Sequence, residues 1–185
     1  MNTFNKRVTL RLCCGFLAFL ILSIVNTRHA CASISSIMIE ADTGRVLSAS
    51  NADELRYPAS LTKVMTLYIT FDALEKGLIK LEDELPVSRK AANRSPSRLG
   101  LRPGSKITVK TAIEALIIRS ANDCATVLAE GLGYSEENFA KAMTQTAKAL
   151  GMKNTTFKNA SGLPNRQQKT TARDMAILAA AMYHH

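Results

Sequence analysis

The sequence contains three histidines, and none lies in the middle of the chain: His29 is near the start, and His184 and His185 are the last two residues. Three of the four cysteines fall within the first 31 residues, which leaves only Cys124 further on. A zinc site of the usual kind needs several Cys or His ligands, and a Ser-His-Asp triad needs a histidine inside the fold. We therefore expect no metal site, no histidine triad and no internal disulfide, and we expect Cys124 to be a buried small hydrophobe.

The start of the chain has the order typical of a secretory signal peptide. The positively charged residues there are Lys6, Arg7 and Arg11. An uncharged apolar stretch of 14 residues follows at 12–25, and a small-x-small sequence ends at Ala32. Because a bilayer span needs about 20 apolar residues, we predict a signal peptide over residues 1–32, cleaved after Ala32, and an exported domain over residues 33–185. An uncleaved membrane anchor is the alternative.

The chain is basic, with 24 Lys and Arg against 15 Asp and Glu and a net charge of +9. Four of these cations and none of the acids lie within residues 1–32, so the remainder carries 9 − 4 = +5. The basic residues are scattered along the sequence, which is typical of a solvated surface. We therefore expect no nucleic-acid partner.

Strand-like sequence is scarce and helix-like sequence is common. Residues 37–40 and 45–48 flank an Asp-x-Gly turn and predict a β-hairpin. Helical periodicity predicts helices at residues 61–76, 108–119, 123–130 and 135–150, and a last apolar helix after Thr171, which has capping-box spacing to Asp174. A turn-rich stretch at 81–107 and residues 160–165 are predicted to have little regular structure. A hairpin followed mainly by helices indicates an α+β fold with too few strands for a sheet that stands alone.

Ser60 and Lys63 stand three residues apart at the start of the predicted helix 61–76, and this spacing places two side chains on one helical face. A serine becomes a good nucleophile when a neighbouring base accepts its proton, and a lysine can be that base when burial lowers its pKa. Because Pro58 and Ala59 precede Ser60, we expect an extended chain that enters a helix here. The spacing alone is common by chance, and an N-cap serine with a solvated lysine is the alternative.

A second polar cluster, Ser120-Ala121-Asn122, interrupts two apolar helical segments. An asparagine amide can bind a substrate amide through both its oxygen and its nitrogen, and it can orient a lysine. A second hydroxyl can relay a proton to a leaving group. A short turn or a helix cap is the alternative interpretation. Together with Ser60 and Lys63, Ser120 and Asn122 are the candidate catalytic residues.

The combination of S-x-x-K with a later S-x-N resembles the signature of penicillin-binding proteins and class A β-lactamases. Residues 57–66 (YPASLTKVMT) are similar to the active-site helix of the D-alanyl-D-alanine carboxypeptidases, the low-molecular-mass penicillin-binding proteins, and residues 118–125 (IRSANDCA) are similar to their second motif. Further similar segments are residues 39–47, 95–104, 149–152, 159–164 and 171–176. The resemblance covers nearly all of residues 35–183.

This resemblance implies a penicillin-binding protein/β-lactamase-like transpeptidase fold and a serine peptidase of the bacterial cell wall, located in the periplasm. It implies that Ser60 attacks the carbonyl between the two D-alanines of a peptidoglycan stem peptide and that Lys63 accepts its proton. Ser120 and Asn122 would complete the second wall of the cleft. The implied partners are stem peptides ending in D-Ala-D-Ala and β-lactams, which would acylate Ser60, and no metal or organic cofactor is implied.

The third motif of the signature, K-T-G, is absent from the sequence. Lys110-Thr111-Ala112 is the nearest string, but it precedes the second motif and opens a helix, whereas the family places K-T-G later and on a strand. The resemblance therefore implies the N-terminal part only of such an enzyme: the hairpin and the helical subdomain, without the rest of the antiparallel sheet. Any C-terminal membrane anchor would lie beyond His185.

Three functions follow from these residues. The first is a D-Ala-D-Ala carboxypeptidase, with endopeptidase action as a variant. The second is a class A β-lactamase, which needs a glutamate to activate the deacylating water; no glutamate occurs from Asn138 to the end of the chain. The third is an exported, catalytically impaired remnant, which the absent K-T-G favours and the intact Ser60 and Lys63 disfavour.

Overall fold

The computed structural model describes residues 33–185, so the predicted signal peptide, with Cys13, Cys14 and Cys31, lies outside the described residues. The strands are β1 (Ser36–Ile39), β2 (Val46–Ser50), β3 (Glu84–Pro86) and β4 (Lys106–Thr108). The helices are α1 (Thr62–Glu75), α2 (Arg89–Ala92), α3 (Val109–Arg119), α4 (Asn122–Gly133), α5 (Glu136–Ala149) and α6 (Ala172–Tyr183), and one 3-10 turn, Ala59–Leu61, precedes α1. This α+β order confirms the predicted fold class.

The predicted hairpin is formed by β1 and β2, which pair antiparallel with Ser36 opposite Ser50. The turn between them depends on Gly44, whose φ of +69° lies in the left-handed region that glycine adopts without a steric penalty. The Gly44 N–H donates to the Glu40 carbonyl oxygen at 2.9 Å and closes the turn. Helix α6 packs against β1, so the hairpin is supported on one side by the last helix.

The segment between α1 and α3 is more regular than predicted. Strands β3 and β4 form a second antiparallel pair with Leu85 opposite Ile107, and the short helix α2 lies between them in the chain. The prediction of little regular structure over residues 81–107 was therefore partly wrong. Of the turn residues that motivated it, Pro86 ends β3, and the others, Pro96, Gly100, Pro103 and Gly104, belong to the 93–105 segment, which joins α2 to β4. Val87 and Ile107 on either side are buried and anchor the strand pair in the core.

The buried side of helix α1 contains more polar residues than its sequence indicates. The predicted apolar face is only partly buried, since Leu61 is 57% exposed and Val64 is half-buried. The fully buried line instead includes Thr62, Thr66 and Thr70 beside Met65. Buried hydroxyls need hydrogen-bond partners, and those of Thr66 and Thr70 donate to backbone carbonyls. The helix is thus enclosed by protein on the side that carries the threonines.

Helices α4 and α5 pack against each other and against α1, and they contribute much of the core. Fully buried side chains of this core include Met65, Leu128, Phe139, Met143, Phe157 and Leu178. Cys124 is buried, as predicted. Within residues 33–185, no helix combines the length and the apolar character that crossing a bilayer requires.

Side-chain caps mark the helix starts that the sequence predicts. The Ser135 hydroxyl accepts from the Asn138 N–H at 3.1 Å, and the Thr171 hydroxyl accepts from the Asp174 N–H at 3.1 Å. The predicted capping box at Thr171 is only half formed, because the Asp174 carboxylate accepts from the Asn154 N–H at 2.8 Å and the Thr155 hydroxyl at 2.6 Å. The Asp174 side chain therefore links α6 to the preceding loop instead of capping its own helix.

Candidate active site

Ser60 lies in the 3-10 turn directly before α1 and is exposed. The expected extended approach was wrong: Pro58 has helical angles (φ −67°, ψ −20°) and Ala59 has a φ of +47°. A left-handed alanine is uncommon because its Cβ crowds the backbone. The chain thus makes a tight turn at Ala59 and presents Ser60 at the surface, at the N-terminus of α1.

The left-handed Ala59 is covered by Gly162. A Cβ at Gly162 would lie 1.8 Å from the Ala59 carbonyl oxygen, and the φ of Gly162 is +88°. Only glycine permits both the backbone conformation and this approach. The contact fixes the position of the turn that carries Ser60 against the 159–163 loop, most of which belongs to the segment 160–165 that was predicted to have little regular structure.

Lys63 is buried, with 4% of its surface exposed. Its Nζ donates to the Ser161 carbonyl oxygen at 2.7 Å. Burial disfavours the charged ammonium and lowers the pKa of Lys63 from 10.5 to about 8. Such a lysine has a substantial neutral fraction near pH 8 and can act as a proton acceptor there.

The first candidate pair is therefore an exposed Ser60 and a buried Lys63 at the same helix start. Within residues 33–185 the Ser60 hydroxyl has no hydrogen-bond partner, and the hydrogen bond that orders the Lys63 ammonium goes to Ser161. A hydroxyl without a partner is available to a ligand, and hydrogen bonds of catalytic groups often tighten only when substrate is bound.

The 159–163 loop owes its shape to Asn159. Its Oδ1 accepts from the N–H groups of Ser161 at 3.2 Å and Gly162 at 2.7 Å, and its Nδ2 donates to the Leu163 carbonyl at 2.9 Å. The Thr66 hydroxyl donates to the Ala160 carbonyl at 2.7 Å. The loop therefore follows α1 for one turn, and two successive carbonyls, those of Ala160 and Ser161, face the buried side of that helix.

Ser120 and Asn122 lie where α3 ends and α4 begins, as predicted. Ser120 has left-handed angles (φ 53°, ψ 40°) and ends α3, while Asn122 is 5% exposed and starts α4. The Asn122 N–H donates to the Ser97 carbonyl at 2.7 Å, and its Nδ2 lies 3.4 Å from the Ser95 carbonyl. The side chain of Asn122 thus holds the 93–105 segment, and the prediction that it can orient the lysine stays a prediction.

The two candidate pairs are joined through packing. Helix α1 contacts α4, but within residues 33–185 no hydrogen bond connects Ser60 or Lys63 to Ser120 or Asn122. Of the four non-glycine residues with positive φ in this part of the chain, two, Ala59 and Ser120, adjoin or belong to the candidate motifs. Strained backbone of this kind clusters at functional sites, which supports the choice of both motifs.

Asp123 is a structural partner that the sequence did not single out. Its carboxylate accepts from the backbone N–H groups of Leu99, Gly100 and Leu101, at 3.0, 2.9 and 3.2 Å, and from Cys124 at 2.9 Å. Burial raises the pKa of Asp123, but these four N–H donors outweigh it and hold the pKa below its usual value. Asp123 therefore fastens the 93–105 segment next to the second motif.

A cavity of about 530 Å³ opens beside Ala59. Its lining includes Tyr57, Leu163, Pro164, Arg166 and Gln168. Asn165 also lines it, so apolar walls are combined with one cation and two amides, a mixture found in small-molecule sites. The cavity lies between the turn at Tyr57 and Ala59 and the segment 162–168.

An exposed serine followed three residues later by a buried lysine of lowered pKa defines a site suited to acyl transfer with lysine as the base. Residues 23–185 match the family model described as D-alanyl-D-alanine carboxypeptidase. The chain belongs to this family, in agreement with the resemblance of its motifs.

Known relatives give the same result. The chain is 44% identical over 145 residues to the D-alanyl-D-alanine carboxypeptidase DacF of Bacillus subtilis, a match that covers 78% of this chain and 37% of the relative. It is 41% identical over 154 residues to DacC of Escherichia coli, covering 80% of this chain and 38% of the relative. The chain thus spans less than two fifths of the length of these two relatives.

Solved structures share the fold. The D-alanyl-D-alanine carboxypeptidase DacD of Francisella tularensis superimposes with a TM-score of 0.78 and 38% identity, over 80% of this chain and 36% of that one. Penicillin binding protein 5 of Haemophilus influenzae superimposes with a TM-score of 0.79 and 32% identity, over 82% of this chain and 45% of that one. The penicillin-binding protein fold predicted from the motifs is therefore confirmed for the part of it that this chain contains.

Proposed function

We propose that Ser60 is the acyl-ester nucleophile and Lys63 the proton acceptor of a serine D-Ala-D-Ala carboxypeptidase. The observation that supports this most directly is the burial of Lys63, three residues after an exposed serine, because burial lowers its pKa to about 8. A lysine in water would be protonated at neutral pH and would be a poor base. The family membership supplies the reaction class and the substrate.

The proposed reaction transfers one acyl group twice. Neutral Lys63 accepts the proton of the Ser60 hydroxyl as its oxygen attacks the carbonyl between the two D-alanines of a stem peptide. The C–N bond breaks, and the terminal D-alanine leaves with a proton returned from Lys63, directly or through the Ser120 hydroxyl. Water then hydrolyses the ester and restores Ser60.

Asn122 is proposed to bind the substrate at the second wall. In its present position the Asn122 amide donates at 3.4 Å to the Ser95 carbonyl, which is a long hydrogen bond that a substrate amide can replace. β-Lactams are proposed to acylate Ser60 in the same way as the peptide, in agreement with the name of the related penicillin binding protein. Residues 1–32 are proposed to direct export, which places residues 33–185 on the extracytoplasmic side of the membrane.

A fluorescent penicillin tests this proposal. The folded chain is incubated with the label and digested, and the labelled peptide is identified by mass spectrometry. We expect an adduct on Ser60 that is lost in Ser60→Ala and retained in Ser48→Ala, a control on the exposed strand β2. A folded chain that forms no adduct, or whose adduct persists in Ser60→Ala, contradicts the proposed nucleophile.

Two further measurements separate the alternatives. Release of D-alanine from a pentapeptide ending in D-Ala-D-Ala identifies a carboxypeptidase, and cleavage of a cross-linked dimer identifies an endopeptidase. Rapid turnover of a chromogenic cephalosporin identifies a β-lactamase. A folded chain that is acylated by none of these compounds would fit the second candidate, a catalytically impaired remnant of the family.

A further inference from the structure

Glu136 is a buried carboxylate that the proposed reaction does not use. It is the first residue of α5, where acids are favoured by the helix dipole and are normally exposed. Its neighbour Glu137 follows that pattern, with a side chain 70% exposed, but the side chain of Glu136 is 3% exposed. A buried charge is retained only when it is paired and hydrogen-bonded, so its contacts indicate what it holds.

One oxygen of Glu136 faces the 159–163 loop. Oε1 accepts from the Ala160 N–H at 3.3 Å and from the Thr126 hydroxyl of α4 at 3.4 Å. Ala160 in turn accepts from Thr66, and the next carbonyl, that of Ser161, accepts from the Lys63 ammonium. Glu136 therefore binds the backbone of Ala160, the residue directly before Ser161, whose carbonyl holds Lys63.

The other oxygen of Glu136 faces the 93–105 segment. Oε2 forms an ion pair with the Arg94 guanidinium and lies 3.2 Å from Lys90 Nζ. Arg94 immediately precedes Ser95, whose carbonyl faces the Asn122 amide. The Nε of Arg94 is buried without a hydrogen-bond partner in the described part of the chain, so Glu136 is the main group that holds this guanidinium in place.

We propose that Glu136 is a positioning residue. Through Ala160 and Arg94 it keeps the loop that binds Lys63 and the segment that contacts Asn122 at a fixed position relative to each other. This inference rests on the proposed function for the roles of Lys63 and Asn122, and it assigns to Glu136 no contact with substrate. A single carboxylate connects the two segments, so its loss releases both of them.

Three single substitutions isolate this role. Glu136→Gln keeps the size and an oxygen that can accept from Ala160, but it removes the charge that holds Arg94. Arg94→Gln removes the same ion pair from its more exposed side, at 26% side-chain exposure, and so carries less risk of unfolding. Glu137→Gln is the matched control, because Glu137 is the adjacent acid and pairs with Lys90 at 2.6 Å.

The first readout does not depend on catalysis. Native protein is treated at pH 8 with a small amine-reactive reagent and, separately, with a thiol reagent, and labelling of Lys63 and Cys124 is measured by peptide mass spectrometry. Cys124 is fully buried and is labelled only when the helices open, so it reports general loss of stability. We expect Lys63 labelling relative to Cys124 to rise about 10-fold in Glu136→Gln and in Arg94→Gln, because without the ion pair the side chain at position 136 is no longer held against the Ala160 N–H and the 159–163 loop opens locally. We expect it to stay unchanged in Glu137→Gln.

The second readout is acylation by the fluorescent penicillin. We expect a fall of about 10- to 100-fold in both ion-pair variants, the loss that follows a small displacement of reacting groups, with less than a twofold change in Glu137→Gln. If Lys63 and Cys124 labelling rise together, or if neither changes, Glu136 has only a structural role and the inference is wrong. If the wild-type chain is not acylated, the proposed function fails, while the labelling ratio still decides the role of Glu136.

Discussion

Lys63 Nζ lies 2.7 Å from the carbonyl oxygen of Ser161, a residue 98 positions further along the chain. The same loop carries Gly162, which packs on the Ala59 carbonyl beside the candidate nucleophile. One loop therefore fixes the ammonium and the turn that presents Ser60. The ammonium that Ser161 binds is buried, and burial is the cause of its lowered pKa.

Acylation of Ser60 should increase with pH. Lys63 accepts a proton only when neutral, and its pKa of about 8 means that the neutral fraction is about one tenth at pH 7 and one half near pH 8. We expect the second-order rate of labelling by the fluorescent penicillin to follow this curve between pH 6 and 9. Lys63→Arg keeps the positive charge but does not deprotonate in this range.

In Lys63→Arg we expect labelling to fall by about 1,000-fold and to show no rise with pH. A variant with near-normal labelling, or a wild-type rate that does not change between pH 6 and 9, would show that Lys63 is not the base.

Gly162→Ala should disturb the nucleophile turn far more than another glycine substitution of similar backbone strain. The new Cβ would lie 1.8 Å from the Ala59 oxygen, so the turn at Ala59 or the 159–163 loop has to move. Gly151→Ala is the control, since its φ of +92° is similar but a Cβ there meets nothing within 4 Å. We expect a loss of about 1 kcal/mol in unfolding free energy for Gly151→Ala and about 3 kcal/mol or more for Gly162→Ala.

Urea unfolding measures both losses, and labelling by the fluorescent penicillin separates them further. We expect acylation to fall sharply in Gly162→Ala and to stay normal in Gly151→Ala. Equal losses of stability in the two variants would show that the contact with Ala59 is unimportant.

Asp123→Asn should detach the 93–105 segment. The carboxylate accepts four backbone N–H bonds, three of them from Leu99, Gly100 and Leu101, and an amide has fewer acceptor sites and brings a donor toward them. We expect a loss of about 2–3 kcal/mol in unfolding free energy at pH 7. Asp72→Asn, which breaks the exposed pair of Asp72 with Lys76, should cost about 0.5 kcal/mol or less.

The Asp123 effect should also depend on pH with a defined sign. Because the folded-state pKa of Asp123 is lowered from 3.8, its stabilisation is complete above about pH 4 and decreases as the pH falls through the folded-state pKa. The difference between wild type and Asp123→Asn should therefore shrink toward pH 2. A difference that is constant with pH would mean that the charge of Asp123 does not hold the segment.

Local signals in the sequence predicted much of the architecture. The hairpin turn at Gly44, the cap at Ser135 and the break between α3 and α4 each depend on residues a few positions apart, and the structure has all three. The strand pair β3–β4 was missed because its strands are three residues long and are joined by a turn-rich segment. Pairing over that distance depends on the burial of Val87 and Ile107 in a core that the local sequence does not specify.

Residue type gives no signal for the observed structure at two positions. Ala59 gives no signal for a left-handed conformation, since glycine or asparagine usually occupies it, and the conformation depends on the contact with Gly162. Glu136 occurs where a first-turn acid normally faces water, and its burial is explained by its tertiary partners, above all the ion pair with Arg94. Gly162 and Arg94, the residues that make these two contacts, both lie more than 40 positions away in the chain.

The sequence by itself determined the helix that begins just after Ser60 and carries Lys63, the break that carries Ser120 and Asn122, and the family to which these motifs belong. These features depend on short spacings and periodicities that act within one or two helical turns. Only the tertiary structure decided that Lys63 is buried, that its ammonium is held by Ser161, and that Glu136 connects both sides of the site. Burial and ion pairing depend on chain segments brought together by folding, and it is the burial that lowers the pKa of Lys63.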